Sequence, residues 1–155
     1  MTQPIYAVGD IHGQAEQLAR ALEWIAADGG PDASIVFLGD YIDRGPDSRG
    51  VIQQLVDGGR DRENGVFLKG NHDRMMEWFL HDPPVHDPRL LLGFHWLHDR
   101  IGGADTLESY GVGRTDGRRM FELADEVRGK VPADHVDFLN NLTLSHSAGP
   151  LFFAH

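Results

Sequence analysis

Residues 5–13 read Ile5-Tyr6-Ala7-Val8-Gly9-Asp10-Ile11-His12-Gly13, an apolar run closed by glycine and followed by two cation-binding side chains two positions apart. The pattern returns at Ile35-Val36-Phe37-Leu38-Gly39-Asp40, with Asp43-Arg44 just beyond. It returns again at Val66-Phe67-Leu68-Lys69-Gly70-Asn71, with His72-Asp73 behind it. A fourth run, Leu151-Phe152-Phe153-Ala154, leads into His155. Short β-prone runs ended by glycine are strands. Glycine lets the chain turn sharply and approach an ion or phosphate closely.

The segments between these runs carry helical periodicity. Residues 14–27 place Leu18, Leu22 and Ile25 on one face, and Gly29-Gly30-Pro31 stops them. Ser48 is positioned to cap a helix that turns Val51, Ile52, Leu55 and Val56 inward and stops at Gly58-Gly59. Asn71 to Leu80 reads as a third helix, ended by Pro83-Pro84. Strand–helix alternation of this kind predicts an α/β fold with a parallel or mixed sheet flanked by helices.

Residues 83–130 depart from that rhythm and read as a helical insertion within a single domain spanning 1–155. A helix is expected from Asp87-Pro88 to Gly102-Gly103. A short one is expected over Asp105–Gly111, with Asp105 and Glu108 as a capping pair, and another over Arg118–Arg128. A further helix starts near Pro132. Leu142–Ser145 and Leu151–Ala154, joined at Ser147–Pro150, predict a closing hairpin.

The chain of 155 residues carries a formal charge of −10, which argues against nucleic-acid binding through a basic face. Acidity does not exclude a phosphate substrate, because bound cations reverse the local sign. Cysteine is absent, which removes disulfides, thiolate metal sites and cysteine nucleophiles together. No apolar stretch approaches the ~18 residues of a membrane span, and the first strand begins too early for a signal peptide. A cytoplasmic protein without membrane contact is expected.

Strand ends that deliver Asp10, His12, Asp40, Asn71 and His155 to one crevice make an oxygen and nitrogen donor set suited to Mn²⁺, Fe or Zn²⁺. Two ions account for the ligand number better than one: Asp10 with His12, Asn71 with His155, and Asp40 bridging. Two such ions clamp the attacking and leaving oxygens of phosphoryl transfer, with a shared water as nucleophile. His72 is then placed to protonate the leaving group, Asp43 to orient it, and Arg44 to bind phosphate oxygens. Asn71 also suits a helix cap. His81, His86, His95, His98, His135 and His146 read as surface or packing residues. Asp73 and Arg74 receive no role.

The blocks Gly9-Asp10-Ile11-His12-Gly13, Gly39-Asp40-Tyr41-Ile42-Asp43-Arg44-Gly45 and Gly70-Asn71-His72-Asp73 resemble the signature of the phosphoprotein phosphatase branch of the calcineurin-like metallophosphoesterases. The likeness covers residues 4–80 and resumes at Phe152–His155. Trp96…Gly102-Gly103…Thr106-Leu107…Ser109-Tyr110-Gly111 resembles the insertion of bacterial members, including diadenosine-tetraphosphatase-like ones. The resemblance implies the first half of a β-sandwich and a dinuclear site, often manganese. By position, Asp10, His12, Asp40, Asn71 and His155 match metal ligands, His72 with Asp43 matches the general acid and its partner, and Arg44 matches a phosphate-binding arginine. The family's later ligands and second sheet have no counterpart before residue 155, so a longer parent chain is expected.

The expected substrate is phosphoserine or phosphothreonine in proteins, with a dinucleoside polyphosphate such as diadenosine tetraphosphate as the alternative. A truncated, non-catalytic metal-binding domain is the rival from another class. The intact His72, Asp43 and Arg44 set argues against that rival.

Overall fold

The computed structural model describes residues 4–61, 65–113 and 115–155. Three strands, β1 (Ile5–Val8), β2 (Ser34–Phe37) and β3 (Gly65–Phe67), form a parallel sheet in the order β1-β2-β3. The register pairs Val8 with Phe37 and Phe37 with Phe67, so all three strands end at the same level. That alignment puts the residues after each strand on one rim, as the repeated motif requires. Helix α1 (Ala15–Gly29) connects β1 to β2, and α2 (Ser48–Asp61) connects β2 to β3. Helix α3 (Asn71–Phe79) leaves β3 directly at the rim.

The central strand is the most buried: Ile35, Val36 and Phe37 are each at most 2% exposed. Against them pack Leu18 of α1, Val51, Ile52 and Leu55 of α2, and Met75 and Met76 of α3. Full burial of such a side chain contributes about 1.5–3 kcal/mol, so the apolar faces anticipated for α1 and α2 drive the sandwiching of this sheet. Beyond α3 come α4 (Gly103–Ser109), α5 (Met120–Lys130) and α6 (Ala133–Asn140), which extend the core through Leu107, Leu123, Val127 and Leu139. Strands β4 (Ser145–Ala148) and β5 (Leu151–Ala154) form an antiparallel hairpin with its turn at Gly149-Pro150. No helix among the described residues is long and apolar enough to cross a membrane.

Several local expectations change. Residues 87–102 form successive turns instead of the helix expected there. Helix α2 runs past Gly58 and Gly59 to Asp61. Ser48 is not its cap: Asp47 Oδ1 accepts the Gly50 N–H at 2.8 Å, while the Ser48 hydroxyl is buried against Asp43 and Thr106. No side chain caps α4, whose N-cap is Gly102 in the left-handed region, so Asp105 and Glu108 form no capping box. The first hairpin strand begins at Ser145 rather than Leu142. The segment before it instead pairs with the β3 side of the sheet, where Lys69 N–H donates to Thr143 O at 2.7 Å.

Candidate metal centre and active site

Backbone strain marks the rim before any side chain is considered. Among the described residues, the non-glycine positions with left-handed φ are His12 (44°), Asp40 (54°), Asp43 (72°) and Arg44 (65°). Such conformations cost on the order of 1–3 kcal/mol each and persist where the surroundings enforce them. All four belong to the predicted site. The enforcement is close packing of turns: a Cβ on Gly45 would lie 1.9 Å from His12 O, and one on Gly70 would lie 2.1 Å from Asp40 Oδ1.

The turns are tied by hydrogen bonds. Asp40 O accepts the N–H groups of Ile11 and His12, each at 3.0 Å, which joins the first motif to the second. Asp40 Oδ1 accepts His72 N–H at 3.0 Å, which joins the second to the third. Asp73, given no role from sequence, binds both: its Oδ2 accepts Asp40 N–H and Gly70 N–H, each at 2.8 Å, and its Oδ1 accepts Tyr41 N–H at 3.0 Å. Burial pushes the Asp73 carboxyl up to about 7, against the N–H donors that favour the charged form. Gly70 is the N-cap of α3, and its N–H is satisfied by Asp73. Asn71 is therefore the first residue inside the helix, and its amide is released from capping.

The five candidate ligands converge. His155 Nε2 lies 3.1 Å from Asn71 Oδ1 and 3.4 Å from Asp40 Oδ2, while His12 Nε2 lies 3.9 Å from Asp40 Oδ2 and 4.0 Å from Asp10 Oδ2. Two donor sets could each hold an ion: Asp10 with Asp40 and His155, and His12 with Asp40 and His72. Asp40 belongs to both, as a bridging carboxylate must. The pairs read along the sequence are adjacent as well, His12 beside Asp10 and His155 beside Asn71.

The donor chemistry fits divalent cations. His12 Nδ1 donates to Ile42 O at 2.8 Å and His155 Nδ1 to Leu38 O at 2.9 Å, since a carbonyl can only accept. Each neutral imidazole then presents the Nε2 lone pair to the rim, the orientation that outer-shell carbonyls impose on histidine ligands. Lone pairs on His155 Nε2 and on the oxygens of Asp40 and Asn71 face one another, an arrangement that a cation relieves. A positive group already stands beside the other set: the Arg44 guanidinium spans His12 Nε2 at 3.3 Å and His72 Nε2 at 3.2 Å.

A family model for calcineurin-like phosphoesterases matches residues 3–151. The chain belongs to that family. Its members act on phosphate esters with divalent metal ions, which fits the donor sets on this rim. Solved structures of the same architecture include a protein named as a candidate diadenosine tetraphosphatase, which is 22% identical with a TM-score of 0.58. This chain is covered over 97% of its length in that comparison, and the matched protein over 49%. A metallophosphoesterase from Sphaerobacter thermophilus matches at 19% identity and TM-score 0.47, over 96% of this chain and 44% of its own. A protein serine/threonine phosphatase from Saccharomyces cerevisiae matches at 19% and 0.45, over 91% and 33%. The chain thus spans less than half the length of each of these proteins.

Behind the candidate ligand rim, His72 Nδ1 donates to Asp43 Oδ2 at 2.7 Å. Both groups are buried, at 3% and 0% exposure. Burial pushes the Asp43 carboxyl up, and hydrogen bonds from His72, Thr106 and Trp96 pull it back. Trp96 and Thr106 stood out in sequence as part of the insertion motif, but their contacts with Asp43 arise only when that segment folds back on the second turn. Arg44, Asp10, Asn71 and His155 are exposed, so the rim opens to solvent on the side where a substrate would enter.

Proposed function

We propose that this phosphoesterase hydrolyses phosphate monoesters, with phosphoserine and phosphothreonine in proteins as its substrates and two divalent ions, Mn²⁺ first among them, as cofactors. The observation that carries the proposal is Asp40: its carboxylate is common to both ligand sets, and its other contacts fix all three motifs around it. Asp10, His12, Asn71 and His155 are the remaining ligands on this reading. Ions held there supply Lewis acidity and charge neutralisation to phosphoryl transfer.

The protein's own groups do the rest. Arg44 releases His12 and His72 and offers its planar fork of donors to two phosphate oxygens. As water adds to phosphorus and releases one proton to solvent, the bond to the leaving oxygen breaks with its electron pair, and a proton on His72 Nε2 moves to that oxygen. Asp43 holds Nδ1–H at 2.7 Å, so the ring keeps its orientation and its positive charge is stabilised before transfer. The mouth beside Arg44 is lined by Asp105 and Glu108. Two carboxylates there favour a single phosphate on a peptide over a polyphosphate carrying several negative charges.

The test is a Mn²⁺-dependent assay of the longer parent protein expected to carry this chain, with a phosphoserine peptide and with diadenosine tetraphosphate; the 155 residues alone are expected to turn over weakly or not at all. Turnover of the peptide that falls by orders of magnitude in Asp40→Asn supports the proposal. Turnover of the dinucleotide alone replaces the substrate assignment. Equal rates in wild type and Asp40→Asn overturn the mechanism.

A further inference from the structure

Asp43 is completely buried although the next residue, Arg44, is exposed. Three side chains donate to its carboxylate. His72 Nδ1–H reaches Oδ2 at 2.7 Å, Trp96 Nε1–H reaches the same oxygen at 2.8 Å, and Thr106 Oγ1–H reaches Oδ1 at 2.7 Å. The Asp43 N–H is held as well, by Thr106 Oγ1 at 2.9 Å and Ser48 Oγ at 3.1 Å. Because Thr106 gives its proton to the carboxylate, Ser48 donates to Thr106 in their 2.9 Å contact.

The partners lie 53 and 63 residues from Asp43 along the chain, in the segment after α3. That segment is fitted to the loop closely. A Cβ on Gly102 would stand 2.6 Å from Arg44 N, and one on Gly103 would stand 2.7 Å from Trp96 Nε1. The segment therefore forms a socket for Asp43-Arg44 as well as a cover over the core.

We infer that Trp96 and Thr106 are positioning residues for proton donation by His72: they pin both carboxylate oxygens of Asp43 so that the imidazole is held with Nδ1–H on Asp43 and Nε2 toward the rim. A carboxylate offers about four acceptor positions. With only one donor it rotates about its Cα–Cβ and Cβ–Cγ bonds. Donors on opposite oxygens remove that freedom, and they meet the need of a buried charge for partners beyond its counter-ion. The contribution acts through Asp43 and rests on the reading of His72 as the acid.

The experiment uses the longer parent protein expected to carry this chain and its Trp96→Phe, Thr106→Val, Thr106→Ser and Asp43→Asn variants, each checked for folding by circular dichroism. NMR of metal-free protein follows the His72 Nδ1–H resonance, expected downfield and slow to exchange in wild type and Thr106→Ser. It is expected to be lost or broadened in Thr106→Val, which leaves donors on Oδ2 alone, and to exchange faster in Trp96→Phe, which removes one of the two donors to Oδ2. With Mn²⁺, rates on an alkyl phosphate should drop on the order of tenfold in those two variants, a part of the ~10²–10⁴ a positioned acid supplies. Rates on a nitrophenyl phosphate, whose leaving group needs little protonation, should change much less. If Asp43→Asn leaves the alkyl rate unchanged, the acid reading fails, while the resonance still reports on the pinning. If folded Thr106→Val keeps both the wild-type resonance and the wild-type ratio of rates, the inference is overturned.

Discussion

The Asp73 carboxylate holds the backbone of Asp40, accepting its N–H at 2.8 Å while also accepting those of Gly70 and Tyr41. This is how a residue with no exposed atom of its own serves the rim. Asp40 has φ of 54°, a conformation its own side chain disfavours, and the bond from Asp73 is one of the contacts that enforce it. Asp73→Ala strands three buried N–H groups at once. The expected loss is about 3 kcal/mol in urea unfolding, the upper range for a hydrogen-bonded charged group, together with at least tenfold weaker Mn²⁺ binding by calorimetry. Mn²⁺ affinity within twofold of wild type would show that Asp40 holds its conformation without Asp73.

Gly70 tests the same junction from the other side. A methyl there would lie 2.1 Å from Asp40 Oδ1 and 2.3 Å from Asp40 N, both far inside van der Waals contact. Gly70→Ala must displace the carboxylate or the turn. Gly113→Ala is the control, because nothing lies within 4 Å of a Cβ at that position. The expected result is a loss of Mn²⁺ affinity confined to Gly70→Ala, read by titration calorimetry. Equal affinities in the two variants would mean that the rim yields without cost.

Away from the rim, His135 is fully buried between Tyr110, whose hydroxyl is 2.8 Å from Nδ1, and Gln53, whose Oε1 is 3.0 Å from Nε2. Burial lowers its pKa below the ordinary value of 6.5. A depressed histidine takes up a proton on unfolding, so its stabilising effect is complete above pH ~6.5 and is lost as pH falls through the folded value. The melting temperature of the wild type should therefore decline more steeply below pH ~6.5 than that of His135→Gln. Parallel pH profiles would show that His135 is protonated alike in both states.

The parts of this structure legible in the sequence are those repeated along it. Three strand–glycine motifs, followed by aspartate twice and asparagine once, predicted a parallel or mixed sheet, and the register of Val8 with Phe37 and Phe37 with Phe67 aligns the strand ends. The ligand candidates were legible for the same reason, since each ends a strand. What stayed hidden were contacts made by tertiary closure. Asp73 looks like an ordinary first-turn helix residue until the two turns that donate to it are in place. Trp96 and Thr106 reach Asp43 only because residues 87–102 follow a path of turns in place of the helix that Asp87-Pro88 suggested. The approach of His155 to Asn71 and Asp40 has the same origin: residues distant in sequence become neighbours only at the rim.

Asp40 shared between two donor sets makes a prediction about number as well as affinity. His155 and His12 approach Asp40 Oδ2 to 3.4 and 3.9 Å, and Asp40 is common to both candidate donor sets. Removing one imidazole should weaken one ion and leave the other, because each set keeps its remaining donors. Replacing Asp40 with asparagine removes the charge common to both, and a neutral amide bridges two cations poorly. Calorimetry should therefore count two Mn²⁺ in wild type, one tight ion in His155→Ala and in His12→Ala, and none of comparable affinity in Asp40→Asn. Electron paramagnetic resonance adds the spatial requirement: spin coupling between the two Mn²⁺ in wild type should vanish in both single-histidine variants, leaving the signal of an isolated ion. Two uncoupled ions in wild type, or two tight ions surviving in Asp40→Asn, would show that Asp40 is not the bridge.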